Sequence, residues 1–193
     1  MNGEICYQDK KIVQVLHYLI SRVADDTADK LHLLKLVFLA DRYHLRKYAQ
    51  MITGDVYYAM PKGPVASRTL DILEDALVNP NAYARRFFEP DVRKKYSPFV
   101  SLCAPSVTCL SLSAREALDV ALAKYAELRS REIELWDYTH MFKEWIEAAV
   151  PVMQGTLKRN LMKLETCFED SKVEYCNADS ASVALNKRLY AEG

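Results

Sequence analysis

Residues Lys30 to Val65 read KLHLLKLVFLADRYHLRKYAQMITGDVYYAMPKGPV, and this stretch decides the fold. No glycine or proline interrupts residues 28–50, so we predict one long helix there, capped at its start by Asp26 or Thr27. A helix of this length spans about 30–35 Å, because each residue adds about 1.5 Å. It should cross most of the domain and organise the elements around it.

The side chains of this helix separate into a polar stripe and a wide apolar surface when they are placed at 100° per residue. The polar stripe comprises His32, Lys35, Arg42, Arg46 and Gln50. The apolar surface is centred on Leu34, Val37, Phe38, Leu45 and Tyr48. A surface that wide needs neighbours on at least two sides, as in the centre of a mainly helical core.

Asp41 lies within the apolar surface and not on the polar stripe. An unpaired buried carboxylate costs several kcal/mol or becomes protonated, so we expect a guanidinium, a tyrosine hydroxyl or free helix amides to face it. A structural role is favoured over catalysis, because perturbed carboxylates also occur in structural networks.

The helical pattern stops after residue 50, where residues 53–55 predict a turn and residues 56–60 predict a β-strand. Gly63 and Pro64 then predict a corner, with Pro64 at the first position of a further helix. The free amides at the start of that helix could receive Asp41 or an acidic group of a partner, and both interpretations stay open.

The remaining chain adds further predicted elements, most of them helical. The predicted helices are a first helix at 9–23, a helix that starts at Ser113 with Ser113 and Glu116 as a capping box, a helix at 130–149 that ends before Pro151, a weak helix at 157–164, and a last helix from the Asp179-Ser180 cap through Tyr190. Residues 82–88 predict a short helix or an irregular segment. Strands are predicted at 99–102 and 107–112, and they join 56–59 in a small sheet. We therefore predict a mainly α (α+β) fold: a helical core around a long central helix, with a small β-hairpin or short sheet at one side.

Two blocks of the sequence carry a family resemblance. The first comprises Lys30-Leu31, Leu34-Lys35-Leu36, Phe38-Leu39-Ala40-Asp41, Tyr57-Tyr58-Ala59 and Gly63-Pro64-Val65. The second comprises Leu112-Ser113, Glu116, His140 and Trp145. Together they resemble the Panacea domain, also called the SocA-like antitoxin domain, although Thr139 stands where that family is expected to have serine. The resemblance covers about residues 10–149, so we predict a domain at 1–150 and a C-terminal helical extension at 151–193.

The resemblance implies an interaction protein. Panacea domains share a fold and neutralise toxins of unrelated kinds, by direct binding or, in the SocA-like case, by delivering the toxin to an ATP-dependent protease. We therefore predict an antitoxin of a toxin–antitoxin system that binds a cognate protein toxin directly. The alternatives are an adaptor that delivers a toxin or another partner to such a protease, and a regulatory interaction protein of a phage or mobile element. A protease or chaperone, and a second copy of this chain within a toxin complex, are the further partners considered.

The candidate toxin-binding surface combines the glycine–proline corner with nearby side chains of the central helix. It comprises Lys35, Arg42, Met60, Lys62, Gly63, Pro64, Val65 and Arg68. A purely structural role for the corner stays open. Asp41, His140 and Trp145 are predicted to be structural buried polar residues.

His140 and Glu144 are one helical turn apart, which is compatible with half of a metal site, but the two-histidine zinc motif is absent. A hydrogen-bonded i, i+4 pair is the favoured interpretation, and no metal or other cofactor is expected.

Composition argues against several classes of protein. The 26 lysines and arginines balance the 26 aspartates and glutamates, which disfavours nucleic-acid binding. Five cysteines without paired spacing support neither a disulfide frame nor a zinc ribbon, and they suit a reducing compartment. No stretch approaches the roughly 20 apolar residues that span a bilayer, so we expect a cytoplasmic protein without a membrane partner.

Catalytic motifs are also missing: there is no G-x-S-x-G, glycine-rich phosphate loop or H-E-x-x-H. We expect that the chain is not an enzyme, although sequence alone leaves a Cys-His nucleophile pair open.

Overall fold

The computed structural model describes residues 5–23, 28–169 and 180–192. Within them the helices are α1 (Tyr7–Ile20), α2 (Lys30–Tyr48), α3 (Ser67–Val78), α4 (Leu112–Ser130), α5 (Leu135–Thr139), α6 (Lys143–Met153) and α7 (Ser180–Glu192). The strands are β1 (Tyr57–Met60), β2 (Gly63–Ala66), β3 (Phe88–Pro90), β4 (Phe99–Ser101) and β5 (Asn160–Leu161), and two 3₁₀ helices lie at Tyr83–Arg86 and Leu164–Phe168. The predicted fold class, mainly α with a small β component, is confirmed.

Helix α2 is the centre of the molecule. Every residue from Leu33 to Arg46 is buried, and α2 contacts α1, α4, α5, α7 and β2. The N-cap is Asp29, whose carboxylate accepts hydrogen bonds from the amides of Leu31 and His32 at 2.8 and 3.0 Å. The caps predicted from sequence, residues 26 and 27, lie outside the described residues, and α2 is two residues shorter at each end than predicted.

The polar stripe of α2 would ordinarily indicate a helix face in contact with solvent. The structure shows instead that its central residues are buried. Lys35, Arg42 and Arg46 are 0, 2 and 8 % exposed. Residues beyond the predicted domain cover part of this side: Arg46 donates to the carbonyls of Cys167 and Glu169, and the Asn186 side chain donates to the Arg46 carbonyl at 2.9 Å. Polar residues on a helix therefore mark a solvated face only where no later segment covers them.

Strands β1 and β2 form an antiparallel hairpin in which Tyr57 pairs with Ala66 and Met60 with Gly63. Strand β5 pairs with the other edge of β1. The predicted hairpin is therefore present. The placement of Pro64 at a helix start is wrong, because Pro64 lies within β2 and α3 begins only at Ser67.

The second sheet differs from the prediction. Strand β4 pairs with β3 in a separate two-stranded sheet and does not join the hairpin, and residues 107–112 contain no strand. Helix α1 begins two residues and ends three residues before the helix predicted at 9–23, and the first 3₁₀ helix lies within the segment predicted at 82–88.

Three predicted helices also need correction. Ser111, and not Ser113, caps α4 by accepting from the Ala114 amide at 3.1 Å. The predicted helix at 130–149 is divided into α5 and α6, and Pro151 lies inside α6. The predicted weak helix at 157–164 is replaced by β5 and a 3₁₀ helix. The last helix, α7, is present, and Asp179 of its predicted cap lies outside the described residues.

Asp41 fixes the connection between α2 and β1. Its carboxylate accepts hydrogen bonds from the amides of Ile52 and Thr53 at 2.7 and 3.0 Å, from the Thr53 hydroxyl, and from the Tyr57 hydroxyl at 2.8 Å. Asp41 is 2 % exposed, and burial raises its pKa while these hydrogen bonds oppose the rise. The expected tyrosine hydroxyl is among the partners, but the amides belong to a loop and not to a helix.

The free amides at the start of α3 are used by Asp55. Its carboxylate accepts from the amides of Arg68 and Thr69 at 2.9 and 2.8 Å, and from the Thr69 hydroxyl at 2.8 Å. Asp55 is 4 % exposed, so these amides are closed to a partner as well as to Asp41. Two buried carboxylates, Asp41 and Asp55, thus set the path of the chain into and out of the hairpin.

The first prediction concerns Asp41. Substitution Asp41→Ala should lower the free energy of unfolding by about 3 kcal/mol, because four buried donors lose their acceptor. Urea denaturation followed by circular dichroism measures this. The control is Asp71→Ala, since the Asp71 side chain is 60 % exposed and its loss should change stability by at most about 0.5 kcal/mol. Equal stabilities for the two variants would contradict the role given to Asp41.

Candidate functional site

The two sequence blocks meet beneath the β1–β2 hairpin, at Gly63. This residue has a φ of +98°, which residues with side chains rarely adopt. A Cβ atom here would lie 2.8 Å from Thr139 Oγ1 and 3.0 Å from Lys35 Cε. Both the conformation and the space therefore require glycine, and the hairpin backbone packs closely on α2 and α5.

Lys35 supports the hairpin from below. Its ammonium group donates a hydrogen bond to the Pro64 carbonyl at 2.7 Å, and its side chain is fully buried. Burial lowers the pKa of Lys35 from 10.5 to about 7. Lys35 thus links the central helix to the hairpin and is not available at the surface.

Trp145 contacts the hairpin tip, by which we mean residues 60–63, and His140 supports the Trp145 ring. The indole Nε1 of Trp145 donates to the Met60 carbonyl at 3.3 Å, and the Trp145 ring stacks on His140 with centroids 3.9 Å apart and planes 10° apart. Burial lowers the pKa of His140, with a smaller contribution from the charge of Lys35, so the imidazole is neutral at pH 7. Trp145 is buried and His140 is half-buried.

The predicted His140–Glu144 hydrogen bond is wrong. Glu144 accepts instead from Arg42 Nε at 2.5 Å, in an ion pair whose two side chains are at most 1 % exposed. The Arg42 guanidinium also lies over the Phe142 ring, 4.3 Å from its centroid. This pair joins α2 to α6 in the core, because His140 lies before α6 begins and turns toward Trp145.

Most residues predicted to bind a toxin are not at the surface. Five of them are buried: Lys35, Arg42, Gly63, Pro64 and Val65. Their side chains have no surface to present, so their assignment as contact residues is corrected to a supporting role. Met60 is half-buried, Lys62 is exposed, and Arg68 is exposed and paired with Asp9 at 2.6 Å. Contact with a toxin stays a prediction for these three.

A row of exposed apolar side chains lies on α6, the helix that supplies Trp145. Ile146, Val150 and Met153, which we call the α6 stripe, are 50, 52 and 63 % exposed and follow the i, i+4, i+7 spacing of one helix face. The stripe begins at the residue after Trp145, which binds the hairpin tip. The hairpin tip and the α6 stripe together are the candidate binding surface.

This surface does not follow from the single helix predicted at 130–149. An unbroken helix would place Ile146 on the same inward face as the buried Leu135, but the helix stops at Thr139 and restarts at Lys143. The break shifts the helical phase. A helical wheel that starts at residue 143 separates the α6 stripe from the buried residues Trp145, Ala148 and Val152, so the signal exists once the break is known.

In residues 5–23, 28–169 and 180–192, no group of three or more histidine, cysteine or acidic side chains could hold a metal ion. Over the same ranges, no helix combines the length and the apolar character that crossing a membrane requires.

These features define a mainly helical domain built on a central helix and a supported β-hairpin. A family profile described as "Antitoxin SocA-like, Panacea domain" matches residues 33–146, which is more than half of the chain and runs from α2 into α6. The protein belongs to the SocA-like antitoxin (Panacea) domain family. No curated protein and no solved structure matches the chain.

The close approach at Gly63 yields a second prediction. Gly63→Ala should lower the free energy of unfolding by about 3 kcal/mol, because it adds a steric conflict to an unfavourable φ. The matched control is Gly155→Ala, which has a φ of +74° but no atom within 4 Å of the new Cβ, and should cost about 1 kcal/mol. Urea denaturation compares them, and equal losses would refute close packing at Gly63.

Lys35 yields a third prediction, on pH dependence. Between pH 7 and 9 the folded state holds Lys35 neutral, since its pKa is about 7, while the unfolded lysine stays protonated below its pKa of 10.5. The unfolded state then binds more protons, so Lys35 makes stability rise by at most about 1.4 kcal/mol per pH unit in this range. Below pH 7 both states bind the proton, so the pH dependence disappears and the cost of burying the charged lysine is at its full value.

Urea denaturation at pH 7, 8 and 9 tests this for wild type and Lys35→Met. The variant should lose that rise, whereas the control Lys158→Met, at an exposed site, should keep it. Parallel pH profiles for wild type and Lys35→Met would show that Lys35 stays charged in the folded protein.

Proposed function

We propose that this protein is an antitoxin that binds a cognate protein toxin directly and holds it in an inactive complex. Membership of the SocA-like antitoxin family supports the role. The complex would form in the cytoplasm, where free thiols persist: Cys6, Cys103, Cys109 and Cys167 form no disulfides.

The observation that carries the proposal is the exposed apolar α6 stripe. Three large apolar side chains, each at least half exposed, lie on one face of a helix that is otherwise packed against the core. Grouped exposure of this kind marks protein–protein contact sites. Lys62 at the hairpin tip adds an exposed charge to the rim of the surface.

The buried residues contribute by holding this surface in one conformation. Lys35 and Trp145 bind the carbonyls of Pro64 and Met60 on the two strands of the hairpin, and Gly63 allows the close contact with α5. A surface that is ordered before binding loses less conformational entropy when the partner arrives. Lys35, Gly63 and Trp145, which belong to the two blocks that resemble the family, would thus act indirectly in toxin binding.

Delivery of the toxin to an ATP-dependent protease is the alternative within the same family. Both roles need a toxin-binding surface, but they differ in the fate of the toxin. Simple binding leaves the toxin abundant, whereas delivery depletes it. The half-life of the toxin in cells with and without this protein separates the two.

The fourth prediction tests the surface. Cells that express the product of the adjacent gene should stop growing, and co-expression of this protein should restore growth. Val150→Asp and Met153→Asp should each abolish rescue and weaken binding by about 100-fold, because each places a charge in an apolar contact. Binding is measured by isothermal titration calorimetry with the purified toxin.

The matched control is Val78→Asp, since Val78 is 83 % exposed at the end of α3, away from the α6 stripe. It should rescue growth like wild type, and all variants should keep the wild-type melting temperature. Survival of cells that carry the adjacent gene product alone would remove the antitoxin assignment. Full rescue by both α6 variants would instead remove only the proposed surface.

A further inference from the structure

His44 and Ser113 form a hydrogen-bonded pair that the antitoxin proposal does not use. His44 Nδ1 lies 2.6 Å from the Gln50 carbonyl oxygen, and His44 Nε2 lies 3.0 Å from Ser113 Oγ. Ser113 Oγ is also 2.9 Å from Ser111 Oγ, and Ser111 Oγ accepts a hydrogen bond from the Ala114 amide at 3.1 Å. Five groups are therefore joined by four hydrogen bonds in one chain.

The direction of this chain follows from its two ends. A carbonyl oxygen can only accept, so His44 Nδ1 must carry the proton and donate to Gln50. In the neutral ring Nε2 is then an acceptor, and Ser113 must donate its hydroxyl proton to it. At the other end, the Ala114 amide can only donate to Ser111, which leaves the Ser111 hydroxyl proton for Ser113 Oγ. Ser113 is thus oriented as a nucleophile that faces a base.

The surroundings keep His44 able to accept a proton. His44 is 5 % exposed, and burial lowers its pKa, which keeps the ring neutral at pH 7. The charged groups that face it are Asp41 on α2, Lys11 on α1 and Glu116 on α4, and each has a smaller effect than burial.

The pair borders a hollow of about 450 Å³ between α1, the loop after α2 and the start of α4. This volume is within the range of small-molecule sites. The lining combines Tyr7, Met51 and Leu110 with polar side chains that include Lys11 and Thr108. Ser113 is the second residue of α4, so the hollow meets a helix start, where amides without intrahelical acceptors favour a developing negative charge.

We propose that Ser113 is a catalytic nucleophile with His44 as its general base, and that the hollow accepts small carboxylic esters. Ser113 Oγ forms a bond to the carbonyl carbon as His44 Nε2 takes the hydroxyl proton. The tetrahedral intermediate then breaks the bond to the alcohol oxygen, which receives the proton from His44. His44 Nε2 then takes a proton from water as the water oxygen bonds to the acyl carbon. The bond from that carbon to Ser113 Oγ breaks, the carboxylic acid leaves, and His44 returns the proton to Ser113 Oγ.

This inference departs from the expectation that the chain is not an enzyme. That expectation came from short motifs, and residues 44 and 113 are too distant in sequence for any such motif. Ser113 was also predicted to cap a helix, which gave it a purely structural role. In the structure Ser111 caps α4, so the Ser113 hydroxyl is not used as the cap.

The fifth prediction uses a fluorophosphonate probe on the full-length protein. Ser113 Oγ should form a bond to phosphorus with loss of fluoride, while His44 takes the proton, and mass spectrometry should find the adduct on Ser113. Ser113→Ala should abolish the adduct, and His44→Gln should slow its formation at least about 100-fold. Ser130→Ala, at the far end of α4, is the control and should react like wild type.

The pH profile of wild type gives a second measurement that does not depend on a variant's folding. The labelling rate should increase with pH as His44 loses its proton below pH 6.5 and should be constant above pH 7. The absence of an adduct on wild-type Ser113, or a rate that His44→Gln or pH leaves unchanged, would overturn the proposal. Hydrolysis of p-nitrophenyl acetate by wild type and not by Ser113→Ala would establish ester turnover.

Discussion

The buried carboxylate of Asp41 is the interaction on which the arrangement of the molecule depends. It projects from the central helix into the core and accepts hydrogen bonds from the loop that follows the helix and from Tyr57 in β1. A carboxylate in this position must be satisfied by donors, because water cannot reach it. The chain therefore returns to Asp41 directly after α2, and the hairpin starts at a fixed place on the helix.

The hairpin is then supported by contacts from three helices. Lys35 on α2 binds one strand, Thr139 on α5 packs against Gly63, and Trp145 on α6 binds the hairpin tip. These residues come from both sequence blocks that resemble the Panacea domain, and most are buried. Under the proposed function, buried residues of this kind act indirectly, because they hold the exposed hairpin tip in place.

The sequence predicts the features that depend on local periodicity. The central helix, the buried position of Asp41 and the strand at Tyr57 all follow from spacing and β propensity. The covered polar face of α2 could not be predicted, because Lys35 is covered by the hairpin and Arg46 by residues more than 100 positions later. The α6 stripe was missed because a short break at residues 140–142 changes the helical phase. Ser113 was misassigned because Ser111, two residues earlier, competes for the same cap.

Hydrogen–deuterium exchange of the protein alone and in complex with the product of the adjacent gene tests the central claim most directly. The account predicts slower exchange on binding in peptides that cover residues 57–66 and 143–153. It also predicts that Asp41→Asn increases the exchange of residues 50–66 in the free protein and removes this protection. Protection confined to other parts of the chain, with residues 57–66 and 143–153 unchanged, would contradict it.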